Sequence, residues 1–286
     1  MGYRVRASAG RVNSWGTGGN FNATILARCR PMRYELTEVG EEVETTAMNG
    51  TAGDFLPGLK SWTVDVETYA LATPVHGSVG LVELTSGTTA FVEHIDSWSL
   101  NWKSSQIHKM TDLRTATGGT LPEWHTFQPD YSVWTCQWTA YADSANALKL
   151  AHSYKTNLAS SDTRPTVKFT YGNGGTPESL SGKVQVVGVR LGARRGELQP
   201  VTITGRGVGD LTPAGTASVF GTNPLGVPLW SQGSTATGAI VLDSLTGSRT
   251  LTGEDSFLAE MTVSAGMDAP MMLNLRIQGS GSLTPA

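Results

Sequence analysis

Charge is scarce in this chain. Only 16% of its 286 residues are Asp, Glu, Lys or Arg, against roughly 25% in an ordinary globular protein. Surfaces built from charged helices are therefore not expected, and Ser, Thr and Gly fill the gap. A basic excess is also missing: 21 Lys plus Arg against 24 Asp plus Glu give a net charge of −3, so nothing holds nucleic acid electrostatically. The first 150 residues hold 11 of the bases and 15 of the acids, so neither half is a basic tail. Cysteine is limited to Cys29 and Cys136, with no CxxC pair. Buried thiols are expected, with a disulfide left open. No stretch approaches the ~18 apolar residues of a membrane span. Met1-Gly2-Tyr3-Arg4-Val5-Arg6 leads into small and polar residues rather than an apolar signal core, and Arg6 stands where a myristoylation motif needs Ser or Thr. A soluble intracellular product is expected.

What the chain does have is alternation. In Ser61-Trp62-Thr63-Val64-Asp65-Val66-Glu67, the apolar Trp62, Val64 and Val66 share one face, and Thr63, Asp65 and Glu67 the other. Period two is the signature of a half-buried strand. Similar runs occur at 32–36, 97–102, 133–141, 166–171, 183–191, 201–204, 239–242, 257–263 and 271–277, separated by turns such as Gly172-Asn173-Gly174-Gly175. A single helix is predicted over 144–152, with Asp143 or Ser144 as its cap. The class is mainly β, in sandwich or barrel units with one short helix.

Repeats organise these strands. Phe55-x-Pro57-x-Leu59-x-x-Trp62-Thr63 returns as Phe127-x-Pro129-x-Tyr131-x-x-Trp134-Thr135, always 72 positions later, and the match runs on to Tyr69-Ala70 and Tyr141-Ala142. Upstream, Tyr34-x-Leu36 and Val43 match Trp98-x-Leu100 and Ile107 more loosely. Gly207-Val208-Gly209-Asp210-Leu211-Thr212-Pro213-Ala214 returns as Gly279-Ser280-Gly281-Ser282-Leu283-Thr284-Pro285-Ala286. The order is front half, front half, back half, back half. Nesting accounts for it most simply: one unit over 91–213, inserted in another made of 1–90 and 214–286. A swapped pairing of the halves is the alternative.

These phrases resemble the tail tube proteins of long-tailed bacteriophages. Such proteins carry a segment like Asp54-Phe55-Leu56-Pro57-Gly58-Leu59-Lys60-Ser61-Trp62-Thr63-Val64-Asp65-Val66-Glu67, often after a strand and a polar hairpin, here Glu38–Gly53. They close on a Gly-x-Gly-x-Leu-Thr ending, as at Gly207 and Gly279. The resemblance implies a virion structural protein whose stacked rings form the conduit for genome delivery. Family members with one unit form hexameric rings. Two units in one chain imply trimeric rings with pseudo-sixfold symmetry, or hexamers with an extra outer domain. Implied partners are further copies of the chain, a tape measure protein, and tail tip and terminator proteins, with DNA passing non-specifically through the lumen. A minor ring component, distal or terminator, is the neighbouring alternative. The implied location is the virion tail, after synthesis in the host cytoplasm.

Two long arms, 37–56 and 103–130, are expected to reach neighbouring subunits or rings. The contact candidates on them are Glu41, Glu42, Glu44, Phe55, Leu56, Trp124 and Phe127. A passage for DNA favours polar or acidic walls, so Asp65, Glu67 and Gln137 are lumen candidates, with an outer solvated face as the other reading. The opposite face supplies the expected core: Trp62, Val64, Val66, Trp134, Cys136 and Trp138. Arg190, Arg194 and Arg195 fit a salt-bridged contact or turn better than a DNA site.

Enzyme chemistry finds little anchorage. The five histidines form no HExxH pattern, and Glu123-Trp124-His125 is the only tight acid–His pair. No Gly-x-Ser-x-Gly elbow exists. Gly205-Arg206-Gly207-Val208-Gly209 lacks a Lys-Ser/Thr ending and reads as a strand-end feature. No cofactor, metal site or catalytic residue is expected. Trp98, Trp102, Trp134 and Trp138, at period two, suit either a core or the sugar-stacking platform of a carbohydrate-binding β-sandwich.

Overall fold

The structure, a computed structural model, describes residues 11–15, 31–44, 55–69, 81–86, 89–92, 95–104, 107–110, 124–129, 132–141, 164–171, 178–197, 199–214, 240–243 and 250–285. These residues form fifteen strands and no helix. In chain order they are β1 (Arg11–Trp15), β2 (Pro31–Glu44), β3 (Phe55–Tyr69), β4 (Leu81–Ser86), β5 (Thr89–Val92), β6 (Ile95–Ser104), β7 (Ile107–Met110), β8 (Thr126–Pro129), β9 (Ser132–Tyr141), β10 (Thr166–Tyr171), β11 (Glu178–Leu191), β12 (Pro200–Ala214), β13 (Ile240–Asp243), β14 (Thr250–Gly266) and β15 (Met272–Pro285). The mainly β class is therefore what the chain adopts. The helix expected over 144–152, Cys29 and Glu123 lie outside the described residues.

Thirteen strands form one antiparallel sheet in the order β2-β3-β15-β14-β6-β9-β12-β11-β10-β4-β5. β13 lies beside the first residues of β14, and β1 beside β13. The remaining two strands, β7 and β8, form a separate ribbon. Thus β3, from the first front half, pairs with β15 from the last back half, while β9 pairs with β12. The glycines Gly205, Gly207 and Gly209 lie within β12 and Gly279 and Gly281 within β15, while the Leu-Thr-Pro parts of the repeats lie among the last residues of those strands. Gly207 and Val208 pair with β11 and Gly279 and Ser280 with β14, and a bulge at Gly209 and at Gly281 interrupts each ladder before it resumes.

The 72-residue offset seen in the sequence governs strand pairing as well. Ile203 faces Trp138 and Gly205 faces Cys136, and Leu275 faces Val66 and Ile277 faces Val64 in the same relation. Val184↔Gly207 matches Ser256↔Gly279, and the bulge between Val186 and Gly188 matches that between Leu258 and Glu260. The offset reaches β10, where Tyr171↔Glu178 corresponds to Asp243↔Thr250 beside β13. Tyr34↔Val66 and Leu36↔Val64 correspond to Trp98↔Trp138 and Leu100↔Cys136, with β3 and β9 again 72 positions apart but β2 and β6 only 64. A bulge adds a residue and bends its strand, so repeated bulges impose the same bend on both strand sets.

The apolar positions of the alternation make a continuous core. Trp62, Val64, Val66, Trp134, Cys136 and Trp138 are each at most 3% exposed. Trp98, Leu100 and Trp102 join them from β6, and Leu273, Leu275 and Ile277 from β15. β10 covers this face, since the Phe169 ring lies 5.1 Å from Trp98 and 6.4 Å from Trp138 between centroids. Burying one indole removes roughly 150–250 Å² from water, worth about 4–6 kcal/mol at ~25 cal/mol per Å². The four tryptophans at period two are thus spent on folding. Buried at 1–4% exposure, they leave no surface for sugar stacking, which overturns the carbohydrate-platform reading.

Candidate functional site

Each half of the sheet is locked by the same contact. Trp62 donates its indole N–H to the Gly281 carbonyl at 3.1 Å, and Trp134 donates to Gly209 at 2.8 Å. Gly209 and Gly281 have φ of 74° and 96°, a backbone that residues with a Cβ rarely adopt. Two residues earlier, each strand passes directly over the ring. A Cβ on Gly207 would come within 1.9 Å of Trp134, and one on Gly279 within 1.9 Å of Trp62. The repeated Gly-x-Gly therefore seats a tryptophan, which gives the motif a structural origin.

The arms are paired ribbons near their bases. β2 and β3 run on together to Glu44↔Phe55, with Val43 opposite Leu56. Glu41, Glu42 and Glu44 are exposed on this ribbon. The second ribbon, β7–β8, belongs to the other repeat and reaches back over the first. His125 donates its backbone N–H to Lys60 at 2.8 Å and accepts one from Gly281 at 3.0 Å. Ser280 Oγ accepts from the Phe127 backbone N–H at 2.9 Å. Lys60 Nζ lies 5.4 Å from the centre of the Trp124 ring, a cation–π distance. The His125 side chain is 3% exposed, with Nε2 3.2 Å from Glu41 Oε2. Within one chain, Trp124, Phe127 and Glu41 thus stand at a contact between the two repeats. The acid that the fold brings to His125 is Glu41, 84 positions earlier in the chain.

The polar face carries Asp65, Glu67 and Gln137, as the alternation required, with Asp65 and Gln137 exposed and Glu67 half-buried. It is mixed in sign rather than acidic. Arg276 lies opposite Asp65 in the ladder, 3.9 Å between charged atoms, and Arg33 pairs with Glu35. An open depression of about 370 Å³ lies here, lined by Arg33, Glu35, Asp65, Glu67, Glu260 and Arg276. Arg194 pairs with Glu197 within a turn, while Arg190 stands exposed on β11. Among the described residues, no three His, Cys, Asp or Glu side chains are grouped so as to hold a metal ion.

Besides the short terminal strands β5 and β1, two longer strand edges lie open among the described residues. Among the described residues β2 pairs only with β3. β11 has β10 beside it over 178–183, and Val184 donates to Pro165, but Val186–Leu191 has β12 alone. Four large apolar side chains are exposed among the described residues, and three lie on these edges: Val39 on β2, Val187 and Leu191 on β11. Natural sheets seldom leave such edges uncovered.

No protein-family profile and no curated protein matches the chain. Solved structures similar to parts of it include the following two. The SPP1 tail tube matches at 12% identity with a TM-score of 0.35, over 51% of this chain and 81% of that one. The virion of a native gene transfer agent particle matches at 6% identity with a TM-score of 0.24, over 74% of this chain and 99% of that one. Both scores lie below 0.5, and what the chain does is therefore read from its own residues and strands.

Proposed function

We propose that the chain is a virion structural protein that polymerises, as stacked rings, into a phage tail tube. The observation that carries this reading is the matched pair of strand sets. β2-β3-β15-β14 and β6-β9-β12-β11 share pairing offsets, bulges and tryptophan–glycine locks, and stand side by side in one sheet. A molecule that repeats one edge-joined unit is already a segment of a ring, and head-to-tail contacts close when the rotation closes. The sequence resemblance to tail tube proteins supplies the biological setting.

In this reading the units are nested, one built from the chain's two ends and one inserted between them. The pairing of β4 with β10 supports a boundary ahead of Leu81, rather than at residue 90. Three chains then give six units around a pseudo-sixfold ring. Asp65, Glu67 and Gln137 face a lumen through which DNA passes without specific contact. A net charge of −3 and paired arginines suit a wall that DNA must not adhere to. Tape measure, tip and terminator proteins are the partners this role requires.

Electron microscopy of the purified protein tests the proposal. Long hollow tubes are expected. Closed single rings that never stack would reassign the chain to a terminal ring of the tail, and a persistent monomer would overturn the reading.

A further inference from the structure

The chain contains its own template for the joint between copies. The two strand sets meet where β14 pairs with β6, at Glu260↔Lys103, Met261↔Trp102, Thr262↔Asn101, Val263↔Leu100 and Ser264↔Ser99. β14 is the counterpart of β11, 72 positions later, and β6 is the counterpart of β2, 64 positions later. The counterparts of the joined segments are thus 188–192, the end of β11 and the residue after it, and 35–39 on β2. These segments lie on edges that no second strand covers among the described residues, as do the outer edges of the short strands β5 and β1, which have no counterpart in the β14–β6 joint.

We propose that β11 of one copy pairs antiparallel with β2 of the next in this inherited register: Gly188↔Val39, Val189↔Glu38, Arg190↔Thr37, Leu191↔Leu36 and Gly192↔Glu35. The inference rests on the ring reading above and specifies how that ring closes. Burial supports it. Val263 and Leu100 are fully buried in the internal joint, whereas their counterpart Leu191 is 51% exposed and Leu36 only partly covered. Val39, 54% exposed, lies at the end of the same pairing. Strand length agrees as well. β14 runs to Gly266, its last residues facing Trp98 and Ser97 of β6, whereas β11 stops at Leu191, where no such partner lies among the described residues.

Side-chain chemistry fits a joint made after folding. Trp102 is buried in the internal joint, and its counterpart is Glu38, whose charge suits the open edge of a single copy. On the polar face Arg190 falls diagonal to Glu35 across the new pairing, within reach of a long side chain. The complementary surface is therefore a second copy of the same chain, bound by strand addition.

The test uses the full chain with Thr37→Cys and Arg190→Cys together, under mild oxidation, beside a control with Thr37→Cys and Arg194→Cys. The control is four residues out of register, about 13 Å along a strand, beyond disulfide reach. The matched pair is expected to convert most chains to covalent rings that reduction returns to single chains, with little conversion in the control. Hydrogen exchange on the unmodified protein gives a second readout, with edge amides in 35–39 and 188–191 slowing about tenfold or more on assembly. Equal cross-linking of both pairs, or tubes whose edge amides stay unprotected, overturns this register and leaves the tube reading standing. Protein that never assembles overturns both.

Discussion

Trp62 hydrogen-bonds Gly281, 219 positions away, and Trp134 hydrogen-bonds Gly209, 75 positions away. The two tryptophans are 72 residues apart and so are the two glycines, so the longer contact encloses the shorter one. Each lock ties a front strand to a back strand across the core, and both are expected to matter equally.

Trp62→Ala and Trp134→Ala should therefore each destabilise the fold by about 3–5 kcal/mol, the range for large core aromatics. Denaturant unfolding of the two variants measures this. Losses within ~0.5 kcal/mol of the parent would refute equivalent buried strands.

Gly207→Ala and Gly279→Ala should be costly although they remove nothing. The added methyl meets an indole at 1.9 Å, and neither ring can retreat in a filled core. A loss of about 3 kcal/mol, the upper range for overpacking, is expected for each. Gly40→Ala, with nothing within 4 Å, should stay within about 0.5 kcal/mol. Thermal melts of the three variants separate these outcomes.

Cys136 should resist thiol reagents in the folded state and not in denaturant. Burial pushes its pKa up to about 12 from 9.0, partly offset by a hydrogen bond from the Gly205 backbone. The folded chain thus holds the proton more tightly than the unfolded chain. Its stabilising effect is complete below about pH 9 and is lost as pH rises from there towards 12. Unfolding free energies across pH 8–11 should fall at the alkaline end, and Cys136→Ala should flatten that fall.

Trp124→Ala should loosen the contact between the repeats without unfolding the sheet. The Lys60–Trp124 contact is worth about 0.5–2 kcal/mol, and the backbone bonds of His125 and Phe127 remain. Faster hydrogen exchange confined to β7 and β8 is the expected result. Unchanged exchange there would show that the ring contributes nothing to ribbon docking.

Much of this was legible in the sequence because alternation reports burial directly. Trp62-x-Val64-x-Val66 and Trp134-x-Cys136-x-Trp138 marked both core strands, and the 72-residue offset marked their equivalence. The edges were less visible. β2 continues through Glu38–Glu44, whose polar side chains conceal a strand paired with β3. β1, β4 and β5 were not singled out by alternation and took their pairing from tertiary context. His125 could not be located by spacing, since Glu41 and Gly281 reach it only through the fold. The joint between β14 and β6 was invisible for the same reason, because no local pattern records which strand lies alongside which.

The most direct test is a cryo-electron microscopy reconstruction of the assembled protein, with chains traced around one ring. Three chains should supply six equivalent sheets, with each copy's β11 beside its neighbour's β2. Six chains per ring, or copies that touch without strand pairing, would contradict it.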